Sequence, residues 1–509
     1  MRLRHPDGTP IHLAYCSNVH QAEDLDGVLA QLAAYAEPVR ERLGVDRLGI
    51  GLWLARDVVT ELVGDGRALA RLKDELSLRG LETVTLNAFP YAGFHREVVK
   101  KDVYLPDWTH KARLDYTLDC ARVLTALLPD DARRGSVSTL PLAWRTPWPA
   151  ERSNTARRAL DRLADGLAAI ERETGRPVRV GFEPEPGCVV ETTTQAVREL
   201  GGLDPERLGI CLDACHLAVQ FEDPGAALAR LAAAGLPVVK LQASCAVEAD
   251  DPADPAARAA LGRLADPRFL HQARTRVAAQ GSWGASSVPG ESPDPGVAGP
   301  RIPRQREATA EEQGGGTRHI CGLDGPMGPV DSGCARPAVR QDGPHAPGES
   351  PVRGMHQSGA PVGGQAGGSP AGPSPVGRPG DPTGPAGPGH ARRPGGQRVP
   401  GEGRVLGVDD LPDALAGGLP ADRGAWRVHF HAPLHAEPEA PLRTTAPHLT
   451  AVLSGLLGGP VAACDHIEVE TYTWSVLPRP PADLAGGIAA ELAWARDRLT
   501  GLGLKEETS

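Results

Sequence analysis

The chain has 509 residues, length enough for two to four average domains, yet only 40% of them are hydrophobic and 4% aromatic. The net charge of −10 excludes a basic nucleic-acid footprint, and with no run of 18 apolar residues no membrane insertion is expected. The start, Met1-Arg-Leu-Arg-His-Pro-Asp-Gly8, lacks an apolar stretch, and the nine Cys form no CxxC pairs. No signal peptide, disulfide framework or zinc knuckle is therefore expected, and the protein reads as cytoplasmic and reduced.

Apolar runs alternate with amphipathic stretches along most of the chain. His12–Cys16 precedes a helix over about 25–43, and Leu48–Leu54 precedes one over about 66–79. Thr83–Asn87 is followed by a long loop and a helix over about 109–128. Ser136–Leu140 leads to a helix over 154–174, Val178–Phe182 to one over 194–200, and Leu208–Leu212 to one over 226–234. Val238–Leu241 leads to a helix over 255–265, and Asp266–Gln272 also reads as helical.

Composition then changes abruptly. Residues 281–400 hold 28 Gly and 21 Pro but a single Leu (Leu323) and no Phe, Tyr or Lys. Such a stretch cannot bury enough apolar surface to offset chain entropy, and it has no strict G-X-Y register. It reads as a disordered low-complexity insert over 277–404, either an insertion or coding sequence translated out of frame, with a flexible regulatory linker as the functional alternative, between folded parts 1–276 and 405–509. Beyond it Leu406–Leu415 reads as a loop entering a helix. Trp426–Phe430, a helix over 447–457, His466–Glu470 and a helix over 482–499 complete the pattern.

Alternating strands and helices imply parallel strands with right-handed crossovers. About eight units in some 380 residues, with no Gly-rich fingerprint after the first strand, favour an α/β fold of the (β/α)8 TIM-barrel type over a doubly wound sheet. Nine candidate strands are one too many.

The polar residues cluster where apolar runs end, and in a parallel barrel those ends build the site. Glu183 and Glu185 lie two apart, so strand periodicity puts both on one face. His429 and His431 repeat that spacing, as do Glu468 and Glu470. Asp213 and His216 follow Leu208–Leu212, and Gln242 ends Val238–Leu241. A single Glu or His at a strand end is ordinarily solvated, paired or hydrogen-bonded. Four successive ends carrying Glu, Asp with His, His and Glu point instead to a shared site. Converging carboxylates repel unless a cation joins them, and this O/N set suits Mn²⁺, Mg²⁺, Co²⁺ or Zn²⁺. The expected ligands are Glu183, Asp213, Glu470 and a His, with His431 ahead of His216. Glu183 and Glu470 are the expected proton carriers. Glu185, Gln242, His429, Glu468 and, from an earlier strand, His20 are weaker candidates for substrate contact. Cys188, Cys211, Cys215 and Cys245 read as small buried hydrophobes.

The order Glu183, Asp213 with His216, a His and Glu470 resembles the xylose isomerase-like TIM-barrel superfamily of sugar isomerases, epimerases and endonuclease IV. More narrowly, Leu13–His20, Leu86–Tyr91, Phe182–Pro186, Cys211–His216 and Glu468–Trp474 resemble the EboE-type metabolite traffic proteins. The resemblance implies a metal-binding barrel serving a metabolite-processing or export pathway, with protein partners from that pathway. Sugar isomerases of this superfamily usually place a ligand His on the seventh strand, where this chain has Gln242. Either Gln242 replaces it, or His431 supplies it and one strand is miscounted. Two functions follow. One is isomerase or epimerase chemistry on a small polyhydroxylated or hydroxy-carbonyl metabolite. The other is a non-catalytic metabolite-binding or trafficking protein that keeps the pocket. Nuclease chemistry is disfavoured by the charge.

Overall fold

The computed structural model describes residues 1–277 and 403–507. Nearly all of the segment expected to be disordered lies outside the described residues. Eight parallel strands form a barrel: β1 (Pro10–Cys16), β2 (Leu48–Trp53), β3 (Thr85–Asn87), β4 (Gly135–Thr139), β5 (Val178–Phe182), β6 (Leu208–Asp213), β7 (Val238–Ala243) and, near the C-terminus, His466–Val469. Neighbours pair in parallel around the ring, and β2 returns to β1 to close it.

Barrel strands are covered on both faces, which is why they read as continuous apolar runs. All six residues of β2 are buried, for example. Gly51 in that strand makes room for the interior: a Cβ there would lie 1.4 Å from Glu468 Oε1. The outer helices each bury one stripe. In Ala150–Thr174 the buried residues are Ala156, Leu160, Leu163, Leu167 and Ile170, the three-and-four spacing of one helix face. That helix ends at Gly175, whose φ of 69° gives the left-handed cap. Among the described residues no helix is long and apolar enough to cross a membrane.

The ninth run is not a barrel strand. A separate antiparallel sheet contains β8 (Val247–Ala249), β9 (Ala273–Val277), β10 (Arg404–Val408), β11 (Trp426–Val428) and β12 (Arg443–Thr444), in the order β10-β9-β11-β8-β12. The last barrel strand, His466–Val469, is thus β13, lying between β1 and β7. The smaller sheet has its own core, with Trp426, Val428 and Phe430 packed near Val247, Leu261 and Leu411. Apolar content made β11 resemble a barrel strand; its partners make it antiparallel.

Two local expectations fail nearby. Asp266–Gln272 is not helical, because the Asp266 side chain accepts from the backbone N–H groups of Arg268 and Phe269 and folds the segment into a turn. Leu406 lies in a strand rather than a loop, and β10 pairs with β9 from Ala273↔Val408 to Val277↔Arg404. Residues 277 and 404, the outermost of the segment expected to lack structure, therefore face each other across a ladder.

Candidate metal centre at the barrel mouth

Glu183 follows β5, Asp213 ends β6 and Glu470 follows β13, so three strand ends deliver three carboxylates to one place. One oxygen from each lies within 4.8 Å of the others, and all three residues are buried. Asp213 is fixed on one side: its Oδ1 accepts from the His216 backbone N–H at 2.9 Å and from Ser244 Oγ at 2.8 Å. The first of these bonds caps the short helix Ala214–Val219, which sets the Asp-to-His spacing. Glu470 Oε1 accepts from Asn18 Nδ2 at 2.6 Å and Asn87 Nδ2 at 3.2 Å.

His431 comes from beyond β11, outside the barrel. Its Nδ1 is 2.7 Å from the Glu470 carbonyl, which only accepts, so that nitrogen carries the proton and Nε2 presents a lone pair. Nε2 is 3.8 Å from Asp213 Oδ2, and both atoms are buried without a hydrogen-bond partner. Two unpartnered acceptors facing each other are the arrangement a cation satisfies. The hard oxygens of Glu183, Asp213 and Glu470 with this imidazole fit a divalent ion, and the Nδ1 bond orients the ring for it.

Electrostatics agree. Burial, then Glu470, Asp213 and Glu185, holds the Glu183 carboxyl well above its ordinary range. Burial, then Asp213 and Glu468, pushes Glu470 up to about 8. Burial drives His431 down, against the pull of Asp213. Protein groups alone thus leave the negative charge uncompensated, the condition a bound cation reverses.

The remaining expected residues divide. Glu185, His216 and His429 stand beside this group, and with Glu183, His431 and Glu470 they line one pocket, walled by Phe94, Phe269 and Tyr472. Glu468 lies deeper in the barrel, paired with Lys240. Gln242 is fully buried on β7, neither end of its amide has a partner, and it does not line the pocket. His20 stacks on Tyr35 and bonds Tyr15 Oη, facing a different cavity beside Trp53. Asn18, Asn87, Ser244, Tyr104 and Gln272 were not foreseen. Asn18 and Asn87 stood inside motifs already singled out after β1 and at the end of β3. Gln272 lay in the stretch misread as helix.

Fold and site together define a closed (β/α)8 TIM barrel with a cluster of residues able to hold a metal. Residues 42–261 match the family model described as a xylose isomerase-like TIM barrel. That match spans β2 to β8 and stops before His429, His431 and Glu470. Among solved structures, the chain is similar to the IolI protein with a bound zinc atom, at 14% identity and a TM-score of 0.31, covering 46% of this chain and 73% of that one. It is also similar to D-allulose 3-epimerase from Methylomonas sp. in complex with D-allulose, at 17% identity and TM-score 0.30, covering 48% and 75%. A third is the probable 3-DHS dehydratase AsbF of Bacillus anthracis, at 14% identity and TM-score 0.30, covering 46% and 72%. No protein of curated function matches the chain.

Proposed function

We propose that this chain binds a divalent metal through Glu183, Asp213, His431 and Glu470 and performs isomerase or epimerase chemistry on a small polyhydroxylated or hydroxy-carbonyl metabolite. The observation that carries the reading is the convergence of three buried carboxylates with Asp213 Oδ2 and His431 Nε2 left facing each other. A divalent ion bound there supplies Lewis acidity that makes a proton beside a carbonyl easier to remove. Glu183 and Glu470 flank the site from strands three apart around the ring, so one takes a proton from a carbon and the other returns it. Asn18 and Asn87 hold the Glu470 carboxyl in place for that transfer. Phe94, Phe269 and Tyr472 exclude water from the pocket wall.

The narrower EboE-type reading, in a cytoplasmic metabolite-processing or export pathway with protein partners, rests on the five quoted motifs. It is supported by their placement: each contributes a residue to the same pocket, Asn18, Asn87, Glu183, His216 and Tyr472 among them. The test is solvent exchange. Protein loaded with Mn²⁺ is incubated in D2O with a panel of ketoses and hydroxy acids, and deuterium is sought at the carbon beside the carbonyl. Incorporation that E183Q and E470Q abolish supports the reading. Stoichiometric metal without exchange on any substrate favours the non-catalytic carrier.

A further inference from the structure

Beside the carboxylate group, a second set of donors meets with too few protons. His216 Nδ1 is 2.9 Å from the carbonyl of Pro184, which accepts only, so Nδ1 carries the ring proton and Nε2 is a bare lone pair. Gln272 settles His429 in the same way. Its amide nitrogen donates to the Pro186 carbonyl at 2.8 Å and to Tyr104 Oη at 3.2 Å, so its oxygen is the atom 2.7 Å from His429 Nδ1. His429 Nδ1 therefore carries the proton, and its Nε2 is bare as well.

Those two Nε2 atoms are 3.0 Å apart. Glu185 Oε2 stands 3.1 Å from His216 Nε2, while its other oxygen accepts from Tyr104 Oη at 2.9 Å. Three lone-pair donors thus converge in a buried corner. A single proton joins two of them and leaves the third facing a lone pair, whereas a cation serves all three. Donors around a tetrahedral ion with bonds of about 2.0–2.1 Å stand roughly 3.3 Å apart, close to the two spacings here.

We infer that Glu185, His216 and His429 form a second metal site, distinct from the carboxylate centre and sharing none of its ligands. Two imidazoles with one carboxylate suit a borderline ion, Zn²⁺ or Co²⁺, better than Mg²⁺. All three residues line the pocket, so an ion held by them is reachable by substrate. Tyr104 and Gln272 act as positioning residues that fix the carboxylate and the His429 tautomer.

The experiment counts ions. The full chain is stripped with chelator, titrated with Co²⁺, followed by visible absorption, and analysed for metal after dialysis. Wild type takes two equivalents, the second with the intense d–d bands of a nitrogen-rich tetrahedral site. H429Q and E185Q each lose one of the two equivalents, with thermal unfolding of the metal-free protein recorded to show that they fold. D213N loses the other equivalent and keeps these bands. Wild type that takes one equivalent, lost in D213N, overturns the inference, as do H429Q and E185Q variants that keep two. If a variant fails to fold, the wild-type spectrum decides: bands of a nitrogen-rich tetrahedral ion support the site, and a single equivalent without them overturns it. An ion kept in D213N and lost in H429Q, with no second equivalent in wild type, would uphold this site and sink the carboxylate centre.

Discussion

Lys240 Nζ and Glu468 Oε2 meet 2.6 Å apart inside the barrel, and neither side chain is reached by solvent. Burial works against the Lys240 charge, yet Glu468 overcomes it and keeps the ammonium protonated. Glu468 lies within β13, two residues before Glu470 at its end, so the Lys240–Glu468 pair forms a charged floor beneath the carboxylate centre. Removing one partner of such a pair leaves the other buried and alone. K240M is expected to cost about 3–5 kcal/mol in equilibrium denaturation, while K240M/E468L recovers most of that loss. G51A should behave like the single variant, because its Cβ takes the place of Glu468 Oε1. A K240M chain within about 1 kcal/mol of wild type would show that the pair is not held as described.

Asn18 is expected to govern metal affinity without touching metal. Its amide favours the charged form of Glu470, which burial already resists. N18A should weaken binding at the carboxylate centre by about 10- to 100-fold, as removal of outer-shell partners commonly does. Competition against a chromogenic chelator measures it; unchanged affinity would remove Asn18 from the site.

Glu491 predicts a pH dependence of stability. It is buried, and burial pushes its pKa up to about 7 from 4.5, although Thr471 Oγ1, the Leu434 N–H and Trp474 Nε1 donate to it at 2.6, 3.0 and 3.2 Å. The folded protein thus keeps a proton that the unfolded chain has lost between these values. Stability contributed by this group is fully present below about pH 4.5 and declines as pH rises to about 7, by roughly 3 kcal/mol in all. E491Q does not titrate, so its denaturation free energy should gain on wild type across that window and run parallel above it. Parallel curves throughout would mean that Glu491 ionises normally.

The ladder Val277↔Arg404 brings the two ends of the intervening segment face to face. Replacing residues 278–403 by Asn-Gly should close a tight hairpin there. Shortening the connection by about six doublings of length should stabilise the fold by roughly 3.6 kcal/mol, at about 0.6 kcal/mol each. Metal content should not change. A fall in melting temperature, or loss of metal, would show that the barrel depends on the replaced residues.

The barrel was legible because strands covered on both faces leave continuous apolar runs, and helices with one buried face leave a three-and-four spacing. The same signal misled at Trp426–Phe430, where Trp426, Val428 and Phe430 are as buried as any barrel residue but face a second core. Periodicity reports burial and cannot report whether a neighbour runs parallel or antiparallel. Glu183, Asp213, His216 and Glu470 stood out because charge at the end of an apolar run is costly without a partner. Their supports did not: Ser244 and Gln272 are single neutral residues whose meaning lies in what they touch across 31 and 157 positions of chain.

The β9–β10 ladder gives the molecule a natural seam. One cut between Val277 and Arg404 would leave a long polypeptide with seven barrel strands and a short one with β13 alone, seated between β1 and β7. The seam also runs between the ligands. Glu183, Glu185, Asp213 and His216 stay with the long piece, while His429, His431 and Glu470 leave with the short one. Ions held as described would rivet two separate polypeptides together, and a chelator would be the tool that pulls them apart.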